Sequence, residues 1–532
     1  MVSSISDSLL NSILDLNSLV TGITIAIIGF VLKYYSIDKK NEKKSEKEFL
    51  AKTKSSLINA DSLVKKDMLL EALSEYKAIS KKVSAEKYPK EYAHAKNGEG
   101  ICSLNLSKID NRERNVAIAI RAFEEALGVR TVDKYPVDFA ESQKYLGDSY
   151  RQLARVRDKE ENLNLSIQSL NESLKIRTCD KFPLDYAITM SSLGLTYRLL
   201  SDVRNKEQNL DTSIRACKET LNYLSINEKA FYYAEAQNCL GAAYRNLSDV
   251  RNKEQNLDKS IHAYTEALKV RTVEKYPIDY ANTQNNLGIA YGKLADIKDK
   301  EENLVKAICA YEATLSIRTV DAYPLSYALT QSNLSIAYRK LANLRDKEKN
   351  LNKAIHAIEE SLKIRTIDRY PIAYSATQSE VGIIYTKLAD VQDKEKNLNK
   401  AIHAIEEGLK IRTMDKYPIN YAKSKNDLGV AFIKLAEVRD KEKNLSMAIR
   451  LFEESLKIRT AEKFPIDYAE TQNNLGDAYR NLAAVRDKED NLNLAIFAFE
   501  QAQKHYGLNE CSSLQNEIIL KIENVKKMMD DD

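Results

Sequence analysis

The chain has 532 residues, 30% of them charged, and 81 basic against 77 acidic side chains give a net charge of +4. So small a charge over this length does not indicate a nucleic-acid-binding surface. With 15 glycines, 8 prolines and no tryptophan, the composition favours helices. The six cysteines share no spacing typical of a zinc site or a disulfide framework, which indicates buried thiols in a reducing compartment: Cys102, Cys179, Cys217, Cys239, Cys309 and Cys511.

The amino-terminal segment is mostly apolar from Leu16 to Tyr35 and uncharged from Leu16 to Leu32. A helix of about 20 residues is about 30 Å long and matches the hydrocarbon core of a bilayer. Lysines follow from Lys33 onward, so the positive-inside rule predicts a single-pass membrane anchor (1–37) with the carboxyl-terminal bulk in the cytoplasm. The lack of Lys or Arg before Lys33 disfavours a cleaved signal peptide. A membrane-surface helix and an extra buried helix are the alternatives. Residues 38–50 are uniformly polar and predict a charged juxtamembrane tether.

Beyond the tether, a period of 47 residues dominates the chain. It is marked by all eight prolines, with Ala230 at the one vacant position: Pro89, Pro136, Pro183, Pro277, Pro324, Pro371, Pro418 and Pro465. Equal spacing over so long a stretch indicates a stack of identical structural units, because each unit must turn at the same point.

Each copy predicts two antiparallel helices. In the copy at Pro465, the proline suits the first turn of a helix, and apolar residues follow at helical spacing as far as Val485. A charged segment, 486–492, interrupts this pattern, and a second helix then carries Ala495, Ile496, Phe499 and Ala502.

Two polar motifs recur with the same period. A Glu-x-Asn motif, such as Glu489 and Asn491, stands in the interrupting segment of nine copies. The repeated Glu and Asn could be mistaken for a row of metal ligands, but the better interpretation is that the Asn caps the second helix. The second motif is Arg-Thr-x-Asp/Glu, such as Arg459 to Glu462, after the second helix. We expect its Arg to meet the free carbonyls of the helix end and to be held there by the acid.

The run Leu475-Gly476-x-x-Tyr479, followed by Ala495-x-x-x-Phe499-x-x-Ala502, resembles the tetratricopeptide repeat. The same frame recurs in phase at Leu146-Gly147, Leu240-Gly241 and Leu287-Gly288. The repeat is longer than the usual 34 residues and lacks its Trp, and it is similar to kinesin-light-chain-type repeats.

The resemblance implies an all-α fold, a right-handed α-solenoid of about ten stacked antiparallel helix pairs over residues 51–508. A kink is expected near 222–231, where the Arg-Thr motif and the proline are both missing. The first copy, with Glu99-Gly100 in place of Leu-Gly, is degenerate, as suits an end cap. Residues 509–532 are expected to form a capping helix and an acidic tail.

The resemblance further implies that first helices line a concave surface that binds extended or helical peptides. Three rows of side chains are then the candidate peptide-binding residues. Asn amides can hold a peptide backbone, and a cationic row would favour acidic ligands. The alternative is a solvated face repeated by duplication. The rows are Asn238, Asn285, Asn426 and Asn473; Arg151, Arg198, Arg245, Arg339 and Arg480; and Lys293, Lys340, Lys387 and Lys434.

No catalytic, metal-binding or cofactor-binding motif is found, and the five histidines do not form one. His262, His356 and His403 share one second-helix position, so duplication accounts for them. The sequence therefore predicts a non-enzymatic, membrane-anchored scaffold or adaptor that binds proteins or peptides, with neither nucleic acid nor a small-molecule substrate as partner. A solenoid that self-associates at the membrane is the alternative.

Overall fold

The computed structural model describes the backbone of residues 2–508 and 512–530 and the side chains of residues 21, 23–507 and 513–530. The described residues form 21 helices and no strand. They divide into two compact units, Met1–Leu224 and Ser225–Asp532. The first contains α1 (Val2–Lys65), α2 (Leu69–Lys82), α3 (Pro89–Leu106), α4 (Arg112–Leu127), α5 (Pro136–Leu153), α6 (Lys159–Ile176), α7 (Pro183–Leu200) and α8 (Lys206–Tyr223).

The second unit continues the same alternation of helices. It contains α9 (Ala230–Leu247), α10 (Lys253–Leu268), α11 (Pro277–Leu294), α12 (Lys300–Leu315), α13 (Pro324–Leu341), α14 (Lys347–Leu362), α15 (Pro371–Leu388), α16 (Lys394–Leu409), α17 (Pro418–Ala436), α18 (Lys441–Leu456), α19 (Pro465–Ala483), α20 (Lys488–Leu508) and α21 (Ser512–Asp530). Within each unit every hairpin packs on the next, which confirms the stacked helix pairs. Each of the eight periodic prolines is the first residue of a first helix, as predicted.

The core of each hairpin is built where a small first-helix residue meets a large second-helix side chain. A Cβ at Gly476 would lie 2.6 Å from the ring of Phe499, so only glycine allows this approach of α19 to α20. Ala495, Phe499 and Ala502 are fully buried beside it. The Leu-Gly and Ala-x-x-x-Phe elements thus form one contact, which confirms the resemblance to tetratricopeptide repeats at the level of the fold.

The Asn of the Glu-x-Asn motif does not cap the helix. In α20 the N-terminal flanking residue is Asp487, which adopts a left-handed conformation with φ 47°. Asn491 lies one turn further on, and its Nδ2 donates a hydrogen bond of 2.8 Å to the carbonyl oxygen of Arg486. The side chain therefore closes the loop by donating to it, whereas a capping side chain would accept from the helix. The left-handed turn explains why Asp or Asn stands before each second helix, because these residues tolerate positive φ best after glycine.

The Arg of the Arg-Thr motif is held by the next first helix. Arg459 donates to Thr471 Oγ1 over 3.0 Å and pairs with Glu470 at 3.2 Å, both in α19. The acid three residues on, Glu462, accepts from the backbone and from Thr460 instead, which lowers its pKa. The motif is structural as expected, but the contact links one hairpin to the next.

Helix α1 runs without a break from Val2 to Lys65, so the predicted boundaries at 37 and 50 fall inside one helix. Among the described residues no helix is long and apolar enough to cross a membrane. This does not support the transmembrane helix predicted over Leu16–Tyr35, of which the side chains of residues 16–20 and 22 lie outside the described residues.

A further helix covers the carboxyl-terminal end of the repeat region. Helix α21 packs against α20 and buries Ile518, Ile522 and Val525, which agrees with the predicted capping helix. The division between the two units falls after Leu224, within the segment 222–231. The kink predicted in that segment and the right-handed sense of the solenoid remain predictions.

Candidate functional site

Within each unit, first helices lie against the first helices of neighbouring hairpins. Such contacts join α3, α5 and α7 in the first unit and α9, α11, α13, α15, α17 and α19 in the second. Successive second helices make no contact of comparable extent in the described part of the chain. The first helices therefore form a continuous face in each unit, which we call the first-helix surface. All thirteen predicted peptide-binding residues lie on first helices.

The predicted arginine row is largely engaged within the stack. Four of its five members contact polar residues of their own first helix or of the next one, and three of these four pair with carboxylates that offset their charges. The contacts are Arg151 to Asp148 (2.6 Å), Arg245 to Asn286 (3.1 Å), Arg480 to Asp477 (3.0 Å), and Arg339 to Glu380. The side chain of Arg198 makes no hydrogen bond or ion pair with the described residues of the first unit, although its carbonyl oxygen accepts from Ser201 Oγ over 2.6 Å.

At Asp148, burial and ion pairing act on the pKa of the carboxyl in opposite directions. Burial acts to raise the pKa of this carboxyl, but Lys144 and Arg151 hold it well below its usual value. The position is one of two at which an acid replaces the apolar side chain found in the middle copies, the other being Asp477. Both acids are paired with cations, Asp477 with Arg480 and with Lys521 of α21.

The predicted lysine row forms a ladder between hairpins. Each of its four lysines reaches back 44 residues to a side chain just beyond the end of the previous first helix. The contacts are Lys293 to Asp249 (2.6 Å), Lys340 to Asp296 (2.7 Å), Lys387 to Asn343 (3.2 Å), and Lys434 to Asp390. This pairing removes the physical basis for a preference for acidic ligands along the row.

Lys387 is the one member of this row whose partner is neutral. Burial, together with Arg339, Lys347 and Lys434, lowers its pKa, and Asp390 only partly offsets them. Lys387 is therefore the lysine of the row whose hydrogen-bond partner does not neutralise its charge.

The predicted asparagine row is also used inside the stack. Asn285 and Asn426 are buried, at 6% and 2% exposure. Asn238 accepts from Thr283, Asn426 accepts from Asn474 over 3.1 Å, and Asn473 accepts from Lys521 over 2.8 Å. Arg151 and Arg198 thus lie on the first-helix surface of the first unit and the other members of the three rows on that of the second, but most of their polar atoms hold hairpins together.

An apolar strip remains available on the same surface. Ile289, Ile336, Ile383 and Val430 occupy equivalent positions in four successive first helices of the second unit, and each is half-buried. Ile289 and Val430 pack at the edges of core clusters. Because the neighbouring charges are paired, the strip is the part of the surface best suited to bury apolar side chains of a ligand.

One further row escaped the sequence analysis. It directly precedes the Leu of Leu-Gly in successive first helices, and we call it the polar row: Asn286, Asn333, Glu380, Asp427 and Asn474. Arg245 and Arg339 reach this row in the next hairpin, 41 residues later. Asn333 Nδ2 and Asp427 Oδ2 are buried and have no hydrogen-bond partner among the described residues. The 41-residue spacing of Arg339 and Glu380 was the sequence signal that could have revealed the row.

Asp427 has an altered acidity as a result. The pKa of its carboxyl is raised to about 6, chiefly by burial, with Glu470 and Glu380 acting in the same direction and Lys423 and Arg459 in the opposite one. Such a group carries a negative charge at neutral pH and loses it in mildly acidic solution.

The second helices carry a different feature, a repeated cavity. A space of about 1030 Å³ is lined by Tyr338, Lys353 and His356 among others. One hairpin on, Lys400 and His403 line an equivalent space of about 650 Å³. The shared histidine position is exposed, and the cavity contains both acids and bases, including Glu312 and Lys347. Duplication of the sequence accounts for the repetition.

Neither thiols nor metal-binding groups form a cluster in the described part of the chain. No group of three or more His, Cys, Asp or Glu side chains there is arranged to hold a metal ion. Cys102, Cys217 and Cys239 are buried, as predicted, whereas Cys309 is exposed.

Neither a model of a known protein family nor a curated protein matches the sequence. Similar solved structures include the apo form of RapI, 15% identical, with a TM-score of 0.49 over 77% of this chain and 98% of that one. The C-terminal part of a TPR repeat-containing protein from Cytophaga hutchinsonii is 15% identical, with a TM-score of 0.33 over 58% and 95%. The human IFIT1 dimer with PPP-AAAA is 16% identical, with a TM-score of 0.40 over 84% and 81%. Values this low carry no inference about function.

Proposed function

We propose that the chain is a non-enzymatic scaffold that binds extended protein segments along the first-helix surface of its second unit. The apolar strip at Ile289, Ile336, Ile383 and Val430 carries this proposal. Its side chains are half-buried in the free protein and would lose their remaining contact with water under a ligand. Burying apolar surface stabilises a complex by about 25 cal/mol per Å² before the costs of association.

The packing of the hairpins supports the same function. The lysine ladder and the ion pair between Arg339 and Glu380 join adjacent hairpins in the absence of any ligand. A surface held in this way need not order itself when it binds, which lowers the entropic cost of association.

The experiment is a selection of random dodecapeptides on the full chain, followed by affinity measurements with single variants. Ile383→Glu places a charge in the strip and should weaken retained peptides by at least about tenfold, an effect of about 1.4 kcal/mol. Ile372→Glu is the matched control, because Ile372 is 61% exposed in the first turn of the same helix. Equal weakening by both variants, or by neither, would contradict the proposal.

Attachment to a membrane, with the carboxyl-terminal bulk in the cytoplasm, is a separate proposal that rests on the sequence. It is supported by the uncharged stretch from Leu16 to Leu32 and the lysines that follow. Several apolar side chains of the described stretch are exposed, including Ile25 and Phe30 at 65% and 68%. Flotation of the full chain with vesicles, compared with an Ile25→Lys, Ile28→Lys variant, tests it. Equal flotation of the two proteins would count against it.

The same exposed stretch is the observation that favours the alternative, self-association. Sedimentation velocity of the full chain over a range of concentrations separates the alternatives. A concentration-dependent oligomer that the lysine variant abolishes would support self-association through α1.

A further inference from the structure

The ion pair between Arg339 and Glu380 shows how first helices α13 and α15 are joined. Arg339 donates from both Nε and NH2 to the Glu380 carboxylate. Both side chains are largely buried, with 18% and 11% of their surfaces exposed. A forked guanidinium on a carboxylate is among the strongest polar contacts in proteins, so this pair is a template for the position.

The next interface keeps the acid and lacks the arginine. Asp427 of α17 occupies the place of Glu380, and Thr386 of α15 occupies the place of Arg339. Thr386 uses its hydroxyl proton within its own helix, donating to the carbonyl oxygen of Gly382 over 2.8 Å. Asp427 Oδ2 is consequently buried without a donor among the described residues. A buried carboxylate oxygen without a hydrogen-bond donor lowers the stability of the folded chain, and a ligand that donates to this oxygen would remove that cost.

The same relationship holds at the interface between α11 and α13. Gly292 stands in the place of the arginine, and Asn333 Nδ2 in the following helix is buried without an acceptor. At the third interface without the arginine, Ile433 stands in its place, and Asn474 of the polar row donates to Asn426 over 3.1 Å. Unsatisfied polar atoms therefore appear in the polar row where the arginine is missing and no neighbouring amide, such as that of Asn426, serves as the partner.

The described charges around Asp427 come from every helix packed against α17, and the nearby arginines have other partners. Arg412, which follows α16, donates to Ser379 and Ser424, and Arg459, which follows α18, pairs with Asp467 and Glu470. Glu380 of α15 is held by Arg339, and Glu470 belongs to α19. Lys423, one turn earlier in α17, is exposed and forms no ion pair with Asp427. The position thus carries an acid that no described cation neutralises by contact.

We propose that a basic side chain of the bound segment, an arginine or a lysine, docks on Asp427 in place of the missing internal arginine. The inference rests on the proposed function of the first-helix surface and specifies its ligand. Val430, three residues on in α17, and Ile383 of the apolar strip offer apolar surface to the aliphatic stem of such a side chain. The charge preference is thus opposite to that expected from the lysine and arginine rows.

The test uses peptides that the full chain retains from the random dodecapeptide library. The retained peptides should share a basic residue, and changing it to glutamine should weaken binding at least tenfold. Asp427→Asn should weaken the same peptides at least tenfold, whereas Glu395→Gln, which removes a carboxylate of second helix α16 that is already paired with Arg439, should leave them unchanged. Lys423→Ala should strengthen binding, because it removes a competing cation.

Thr386→Arg is the second variant, because it restores the arginine of the template. It should raise the melting temperature of the full chain and abolish binding of the basic peptides. Retained peptides without a basic residue, or full binding to Asp427→Asn, would overturn the inference while leaving the first-helix surface as the binding site if Ile383→Glu still weakens them. Failure of the library to yield any peptide sensitive to Ile383→Glu would overturn the proposed function and this inference together.

Discussion

The ammonium of Lys340 lies 2.7 Å from the carboxylate of Asp296, which stands just beyond the end of the preceding first helix. The two residues are 44 positions apart, and the contact recurs at Lys293 with Asp249 and at Lys434 with Asp390. Side chains that were expected to meet a ligand thus join one hairpin to the next. This relationship shifts the candidate binding determinants from the cationic rows to the apolar strip and the polar row.

Lys340→Ala should change the free energy of unfolding by no more than about 1 kcal/mol, because exposed ion pairs contribute little. The lysine and its partner Asp296 are 27% and 43% exposed, so water screens the pair. Chemical denaturation of the variant at low and high salt measures the contribution, and the difference from wild type should shrink at high salt. A loss of several kcal/mol would show that the ladder is a principal source of stability.

Gly476→Ala should destabilise the protein by about 1–3 kcal/mol, because the added methyl overpacks the contact with Phe499. Its Cβ would lie 2.6 Å from the ring. Gly292→Ala is the matched control, since the nearest atom there, the hydroxyl of Tyr311, is 3.9 Å away. That change should be neutral or stabilise by up to about 1 kcal/mol, because alanine favours helix. The melting temperature should therefore fall for Gly476→Ala and should stay unchanged or rise for Gly292→Ala.

Tyr338→Ala should cost about 3–5 kcal/mol, the usual loss for a buried aromatic side chain. Tyr338 is 7% exposed, and its hydroxyl donates to Glu312 over 2.8 Å. Tyr338→Phe keeps the ring and should cost only about 1 kcal/mol for the lost hydrogen bond. Equilibrium denaturation distinguishes the two, and an unchanged midpoint for the alanine variant would contradict the repeat register.

Asn350→Asp separates donation from helix capping. Asn350 is 5% exposed, and its Nδ2 donates to the carbonyl oxygen of Arg345 over 2.8 Å. Aspartate cannot donate at neutral pH, so we expect a loss of about 1–3 kcal/mol. If the side chain acted as a cap acceptor, aspartate would serve as well as asparagine. A melting curve identical to that of the wild type would favour capping.

Asp427→Asn should stabilise the protein at neutral pH and lose this advantage in acid. The pKa of Asp427 is about 6 in the folded chain, against about 3.9 when unfolded. A raised carboxyl pKa contributes stability below the unfolded value and loses it as the pH rises through the folded value. The advantage of the amide should be about 1–3 kcal/mol at pH 7.5 and vanish near pH 4.

Denaturation midpoints of wild type and Asp427→Asn between pH 4 and pH 8 test this prediction. The two carboxylates that act on this carboxyl are themselves paired, Glu380 with Arg339 and Glu470 with Arg459. If the difference in denaturation midpoint between the two proteins stays constant with pH, the pKa of Asp427 is not raised in the folded chain.

The fold could be predicted because its determinants repeat. A proline at eight of the first-helix starts, a glycine facing Phe499 and an alanine at Ala495 fix the hairpin, and all of them are visible as a period. The role of Asn491 could not be predicted, because the sequence does not reveal that Asp487 takes a positive φ. Without that angle, the Asn of the Glu-x-Asn motif is a good candidate for a cap.

The binding surface was harder to predict because pairing depends on how successive hairpins rotate against each other. The rotation decides whether Lys340 faces solvent or Asp296, and whether Arg339 reaches a ligand or Glu380. The apolar strip at Ile336 and Ile383 was visible in the sequence, but its importance follows only from the neutralisation of its neighbours.

The most direct test of the central claim is site-specific photocrosslinking of a retained peptide to the full chain. A benzoylphenylalanine at Ile383 lies in the apolar strip, and one at His403 lies on the exposed face of the adjoining second helix. We expect the peptide to crosslink at position 383 and not at position 403. Crosslinking at position 403 alone would show that the second helices bind the ligand and would contradict the account.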